Sequence, residues 1–384
     1  MCDKIAFVRK IDSPMCRFTT SLLAFLILIA TSLSPIPAHA QDKIDATVEF
    51  NKCWAYAEPD SGFSTIVTDG ANAYLGSAGA KIAAISVSGG SKLWSSELGG
   101  EIASNLAVGD AGLFVVTDSV STDATKPRES KLRVLSKQTG VTILTFSLAS
   151  ADSFKIGSDG GLIIVISKSG DVYGIDSASG AQKWNRKPTG GVVGEAYIGG
   201  GTIVFGTIDG KILRLKAATG EIDLTVKAES TPTAVRSTVD GRIVYGDSRG
   251  NVVAVDANWK FRTGAQISGI YEANGALIVT SFDNFIYCLT RDGGGVLWKK
   301  RMAGRIADVS FTGANTLLIF TYGSDTAVLA ELKKGKTLGQ ISMPQPTETV
   351  NIPDLTPDRS VFTSNGSAYS FATKPCKSET ASAK

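Results

Sequence analysis

One histidine occurs in 384 residues, and it stands at position 39, close to the N-terminus. Zinc and iron centres draw mainly on His and Cys, so the usual ligand sets are nearly out of reach. A Ser-His-Asp triad is out of reach for any chain that begins after His39. The 5 cysteines include no adjacent pair. Formal net charge is only +3, which gives no wholesale electrostatic attraction to nucleic acid. No glycine-rich loop leads into a helical pattern, so the 41 glycines read as turn residues and not as phosphate cradles. No convincing amphipathic helix occurs after residue 40.

The N-terminus has the form of an export signal. Lys4, Arg9, Lys10 and Arg17 precede an apolar run from Leu22 to Ala30, and Ala38-His39-Ala40 precedes Gln41. The run is too short for the roughly 20 residues of a spanning helix, so cleavage after residue 40 is expected. The long charged region leaves Met15 open as the true start. Cleavage removes His39, Cys2 and Cys16 and leaves a nearly neutral chain. No Cys follows the cleavage site, so no lipid anchor is expected. Cys53, Cys288 and Cys376 then lie in an oxidising compartment, and residues 377–384 read as a disordered tail.

What the chain has in abundance is one repeated phrase. Gly170–Trp184 reads GDVYGIDSASGAQKW, and it returns as GKILRLKAATGEIDL at 210–224 and AKIAAISVSGGSKLW at 80–94. Looser copies occupy 284–298 and 130–144. The terminal Trp or its replacement recurs at about 40 residues, a period that signals an array. Each unit reads as four short strands separated by Gly-rich turns. Four antiparallel strands at this period make a propeller blade, and ring closure leaves only short, protected sheet edges.

Seven outer-strand anchors are expected: Trp94, Leu144 or Phe146, Trp184, Leu224, Phe261, Trp298, and Leu338 or Ile341. The eighth blade is split. Gly366–Thr373 reads as a third strand with no fourth after it, and Phe50–Trp54 as a fourth with no third before it. The expected fold is therefore an all-β, eight-bladed propeller over residues 41–376, closed by pairing the two ends of the mature chain. On the alignment of this split blade with Gly170–Trp184, Cys376 falls at a turn position and Cys53 one residue before the Trp. A disulfide across the closure is expected, the alternative being two unpaired thiols. Cys288, in the apolar segment Phe285–Leu289, reads as an inert core residue.

The repeat resembles the pyrroloquinoline-quinone-type propeller repeat: Gly, hydrophobic-x-Ala/Gly-hydrophobic-Asp, x-x-Thr/Ser-Gly and a final Trp, over nearly all of residues 45–373. Size, export and eight blades make the chain similar to the BamB-like outer-membrane protein assembly factors, although it lacks their lipidated Cys. That resemblance implies a non-catalytic scaffold with no cofactor, working in the bacterial envelope with a protein partner, the outer-membrane β-barrel insertase first. It also implies a periplasmic or secreted location. Enzymes with this repeat use the quinone, calcium, a catalytic Asp and a vicinal Cys-Cys pair, which is missing here. A quinoprotein-like oxidoreductase and a polysaccharide or cell-wall ligand-binding propeller remain the alternatives.

Three places invite a binding role. Innermost strands line the axial channel, and their polar residues by alignment include Ser64, Asn105, Glu195, Thr233 and Asp308; Glu195 either holds a cation or small ligand or is a solvated carboxylate. The polar insertion Asp118–Ser130 interrupts the second blade and is either a recognition loop or a tolerated surface segment. Lys299, Lys300, Arg301 and Arg305 form either a basic patch for an acidic partner, lipid headgroups or anionic polymer, or a solvated turn. The Asp-Gly pairs at Asp69, Asp159, Asp209 and Asp240 read as hairpin turns at matching blade positions rather than calcium ligands. Asn365-Gly-Ser367 reads as a turn rather than a glycosylation site.

Overall fold

The computed structural model describes residues 51–59, 62–119, 128–149, 152–188, 191–312, 315–352, 359–372 and 376. The expected leader (1–40), the middle of the blade 2 insertion (120–127) and the tail (377–384) lie outside the described residues.

Among the described residues the secondary structure is β, and the strands form eight antiparallel sheets arranged as an eight-bladed propeller. Seven blades are built from consecutive strands. Blade 3 is typical, with Phe154–Asp159 innermost, then Leu162–Ser167, Val172–Asp176 and Gln182–Arg186 outermost. Burial follows from this stacking. The second strand, LIIVIS, is buried almost throughout because a neighbouring blade covers each face, whereas outer strands such as Thr142–Ser147 alternate between half-buried and exposed. Each apolar cluster joins two blades: Phe114, Val116 and Leu132 of blade 2 pack with Ile156, Val165 and Tyr173 of blade 3. Blade 2 departs from the pattern in one respect. Its innermost strand is broken into Glu101–Ile102 and Ala107–Val108, both paired with Leu113–Asp118.

The repeated Trp has one job. From the outer strand of its own blade it lies on the outer turn of the next, and its indole N–H donates to a carbonyl of that turn. Trp94 bonds Lys137 O at 2.9 Å, Trp184 bonds Ala217 O at 3.1 Å and Trp298 bonds Leu332 O at 2.7 Å. The ring covers the turn's glycine so closely that a Cβ on Gly220 would come within 2.5 Å of Trp184. Gly220 also has φ +68, a left-handed conformation that side chains other than Gly, Asn and Asp adopt at a cost. Repeat glycine and repeat Trp are thus two halves of one inter-blade contact.

Two expectations need correction. The anchor of blade 5 is Trp259, not Phe261: Trp259 pairs with Ala254, and its indole donates to Arg291 O at 3.0 Å. Here the turn between the third and fourth strands is shorter, Asn258 takes the positive φ (52°), and the outer strand has no bulge, so the anchor comes earlier than the repeat period indicates. The Asp-Gly pairs do not all occupy one position. Asp69, Asp159 and Asp240 adjoin first-to-second-strand turns, but Asp209 lies between the second and third strands of blade 4. All the same, these carboxylates serve turns: Asp69 accepts from Ala71 N and Asn72 N, Asp159 from Gly201 N, and Asp209 and Asp240 from the hydroxyls of Thr207 and Thr238.

The ring closes as expected. Asn51–Tyr56 pairs with Ser367–Ala372, which pairs with Arg359–Ser364 and then Val350–Asn351. Trp54 then docks on Gly90 of blade 1 and donates to Val87 O at 2.9 Å, repeating the inter-blade contact across the two ends of the chain. Tyr56, Lys81 and Lys92 converge on Glu58. Burial opposes the charge of Glu58, but bonds from Lys81, Tyr56 and Lys92 overcome it and hold its carboxyl at about 2. Cys53 is the extra residue of a bulge between Lys52 and Trp54, which leaves it free to reach the turn. It is joined to Cys376 in a disulfide with Cα atoms 5.3 Å apart and 323 residues apart in sequence. Cys288 is free and buried, and burial pushes its thiol up to about 11.

With a loop this long, the bridge restricts the unfolded chain strongly, and removing it in Cys53→Ser/Cys376→Ser is expected to cost about 2–5 kcal/mol. Urea unfolding of residues 41–384 with and without reductant checks this. An unchanged midpoint, or three titratable thiols in the denatured, non-reduced protein, contradicts it.

Candidate functional site

The innermost strands wall the axial channel, and that of blade 4 is bulged. In Val192–Gly199, Val193 pairs with Gly206 but the next partners are Tyr197 and Val204, so Gly194, Glu195 and Ala196 together oppose Phe205 alone. This bulge is possible because Gly194 takes φ +68 and carries no side chain; a Cβ there would meet Thr233 O at 2.5 Å. Glu195 is thereby exposed, and it pairs with Lys155 of blade 3 at 3.0 Å. A cavity of about 760 Å³ opens beside them, with Ser64, Asn105, Lys155, Lys168, Glu195 and Asn351 in its lining. Lys168 lies just after the second strand of blade 3, on the same end of the ring as the blade 2 insertion, which also joins second to third strand.

Ser64, Asn105 and Glu195 share this cavity, while Thr233 and Asp308 are not in its lining. Besides Glu195, three more of the five polar residues are engaged in joining blades. The amide of Asn105 fills the gap in the broken inner strand of blade 2: Nδ2 donates to Ile156 O at 2.9 Å, and Oδ1 accepts from Ile156 N at 2.9 Å. Thr233 Oγ1 donates to Ile267 O of blade 6 at 2.7 Å. Asp308 of blade 7 accepts from Tyr271 of blade 6 at 2.9 Å and from its neighbour Val309 N at 2.7 Å. Burial raises the Asp308 carboxyl to about 6 against the effect of those bonds, and the nearby Glu195 adds to the rise.

The basic run is divided. Strand alternation sets Lys299 and Arg301 on one side of Val296–Arg301 and Lys300 on the other. Lys299 Nζ lies 5.8 Å from the Phe285 ring centre, and Arg305 stacks over Phe282 at 4.0 Å. At the base of the insertion, Ser130 bonds Asp118 and Arg128 pairs with Glu101 at 2.9 Å. Asn365 sits in a positive-φ turn, its amide bonded to Glu348 N, Thr349 N and Pro346 O. Among the described residues no three His, Cys, Asp or Glu side chains come together as a metal site. Sequence reasoning missed Tyr271 and the pair Tyr197–Arg236, whose guanidinium lies 5.1 Å from the ring centre. Their place on inner strands was the only available signal.

The family model for outer membrane protein assembly factor BamB matches residues 128–258, from the third strand of blade 2 to the outer turn of blade 5. The propeller is similar to BamB. The BamB of Burkholderia pseudomallei (strain K96243) is 25% identical over 191 residues, covering 44% of this chain and 50% of that protein. The chain thus matches about half the length of this curated relative. The crystal structure of BamB from Moraxella catarrhalis superposes with a TM-score of 0.65 at 19% identity, over 84% of this chain and 98% of that one. The computationally designed Ika8 protein superposes with a TM-score of 0.69 at 13% identity, over 82% and 97%. At such identities the two structures establish the fold alone, and a designed protein matching as well as BamB makes that limit plain.

Asp308 makes the stability of the ring depend on pH. Its folded pKa lies above the unfolded value, so the native state holds the extra proton between about 4 and 6. Stability from this group is present at the acid side and is lost as pH rises through about 6. Asp308→Asn keeps an acceptor for Tyr271 and removes the titration. The variant is expected to be more stable than wild type by ~1–2 kcal/mol at pH 7.5, with the gap closing by pH 4. Urea unfolding at the two pH values checks this, and a gap independent of pH contradicts it.

Proposed function

We propose that this protein is a non-catalytic scaffold of the bacterial envelope that serves outer-membrane β-barrel protein assembly, with residues 1–40 as its export signal. The observation that carries the reading is the match of residues 128–258 to the BamB family model. The channel chemistry supports it: Asn105, Thr233 and Asp308 bond neighbouring blades, and Glu195 pairs with Lys155. A catalytic site needs polar groups directed at a reacting atom, whereas these groups are directed at other blades. Among the described residues no helix is long and apolar enough to cross a membrane. Rigid blades with loops at both ends of the ring suit the holding of a protein partner.

Crosslinking in the intact envelope, with identification of what is retained, tests the reading. Recovery of the outer-membrane β-barrel insertase, together with lowered levels of outer-membrane barrels when the protein is absent, is the expected result. Retention of glycan or small ligand with no protein, and unchanged barrel levels, contradicts it.

A further inference from the structure

The turn between second and third strands is short and polar in several blades, as in Lys168-Ser-Gly-Asp171 of blade 3, Ser248-Arg-Gly250 of blade 5 and Asn365-Gly366 of blade 8. Blades 6 and 7 place aromatic residues there instead. Blade 6 turns through Phe282-Asp-Asn-Phe285 and blade 7 through Tyr322-Gly-Ser-Asp325. Phe282 and Phe285 are half-buried, whereas Tyr322 is 47% exposed, the one aromatic among the exposed large hydrophobic side chains described. The blade 6 turn is well fixed. Asn284 takes φ +67, and Asp283 accepts from Phe285 N through Oδ1 and from Gly264 N and the Tyr287 hydroxyl through Oδ2.

Cations surround these rings. Lys299 lies over Phe285, and Arg301, on the same side of its strand, is the register partner of Phe285. Arg305 lies over Phe282, and its carbonyl accepts from Tyr322 N at 2.9 Å, which ties the two aromatic turns together. Blade 5 adds Arg249 and Arg262 at the same end of the ring. All five cations are exposed, and none makes an ion pair with a described residue. Nearby carboxylates do not offset them. Asp283 is committed to its turn, Glu229 pairs with Lys260, and Asp325 lies toward the outer strand of blade 7, its carbonyl bonded to Met343 N. The opposite end of blades 5 and 6 is balanced: there Arg242 and Arg291 pair with Asp240, Glu272 and Asp292. Water satisfies each exposed cation singly. What marks this surface is an excess of one charge at one end, joined to exposed aromatic area.

We propose that this end of blades 6 and 7 is a docking surface for an acidic, extended segment of a protein partner. Arg301 and Arg305 pair with its carboxylates, and Tyr322 supplies the apolar contact. Arg and Tyr are the residues that most often carry binding energy at protein interfaces. A guanidinium laid on a ring by its face keeps its N–H edge for a carboxylate. A lipid surface fits less well. Each cation near an anionic membrane contributes only about 1 kcal/mol, and firm attachment needs a broad apolar face to enter the headgroups; here Tyr322 is the one large hydrophobic side chain well exposed. This surface deepens the scaffold reading by giving the chemistry of a partner, and rests on it for that partner being a protein.

The test measures fluorescence anisotropy of a short labelled peptide of alternating Glu and Gly with a central Phe, titrated with the whole mature chain. The same peptide with Gln for Glu is the control. Saturable binding of the Glu peptide alone, weakening as salt rises, is expected. Arg301→Gln, Arg305→Gln and Tyr322→Ser are each expected to weaken it about fivefold. Lys216→Gln, which removes the same charge from the third strand of blade 4, leaves it unchanged. No saturable binding, equal binding of the two peptides, or equal losses in Lys216→Gln and Arg305→Gln overturns the surface. Co-sedimentation with phosphatidylglycerol vesicles that Arg305→Gln abolishes, without peptide binding, overturns it in favour of a lipid surface. If the Arg variants do not fold, the salt dependence decides: an affinity independent of salt overturns it. No envelope component enters this assay, so a failure here leaves crosslinking to the insertase standing, and failure of that crosslink leaves peptide binding standing.

Discussion

Everything in this ring rests on an indole lying across the outer turn of the next blade. Blades in a propeller share no backbone ladder through their middle strands, so adjacent blades are held by apolar packing and a few directed bonds. Trp supplies both, with a large flat surface and one N–H whose acceptor lies at the edge of that surface. Five interfaces use it, those made by Trp54, Trp94, Trp184, Trp259 and Trp298. Elsewhere the contact is adapted. Leu144 reaches Gly180, whose added Cβ would sit 3.7 Å from it, and Leu224 packs with Val253 and Val255 where blade 5 has Asn258 in place of the turn glycine.

The same economy governs the channel. Polar side chains on the inner strands are placed where adjoining blades leave backbone groups unmet. Asn105 pairs both backbone groups of Ile156 in place of the missing strand, and Thr233 bonds a carbonyl of the next blade. Such bonds contribute modestly when made, but leave buried groups unsatisfied when lost. They give the ring a fixed shape and leave few groups with unused bonding capacity. Arg236 is the exception on the inner strands, its buried Nε meeting no acceptor among the described residues.

Much of the ring was legible in the sequence because blade geometry recurs at a fixed period. The split blade, its closing strand and the approach of Cys53 to Cys376 followed from aligning the two ends of the chain on one internal copy. What the period could not reveal is where the chain departs from it. A shorter outer turn moved the blade 5 anchor from the expected Phe261 to Trp259, and Asp209 turned between a different pair of strands from the other Asp-Gly residues. Ser64, Glu195, Thr233 and Asp308 stand on innermost strands and Asn105 in the break of one, but their partners were not legible. The Lys155–Glu195 and Tyr271–Asp308 contacts join blades whose facing residues are set by a bulge and by side-chain reach, and neither is periodic.

Exchange of the indole N–H protons, followed by NMR in the mature protein, tests the central claim most directly. All five indoles, including Trp54 at the closure and Trp259 in the shortened blade, are predicted to exchange far more slowly than a free indole. A Trp54 proton exchanging at the free rate while the other four stay protected would mean that the ring is not closed by its own ends, and would contradict the account.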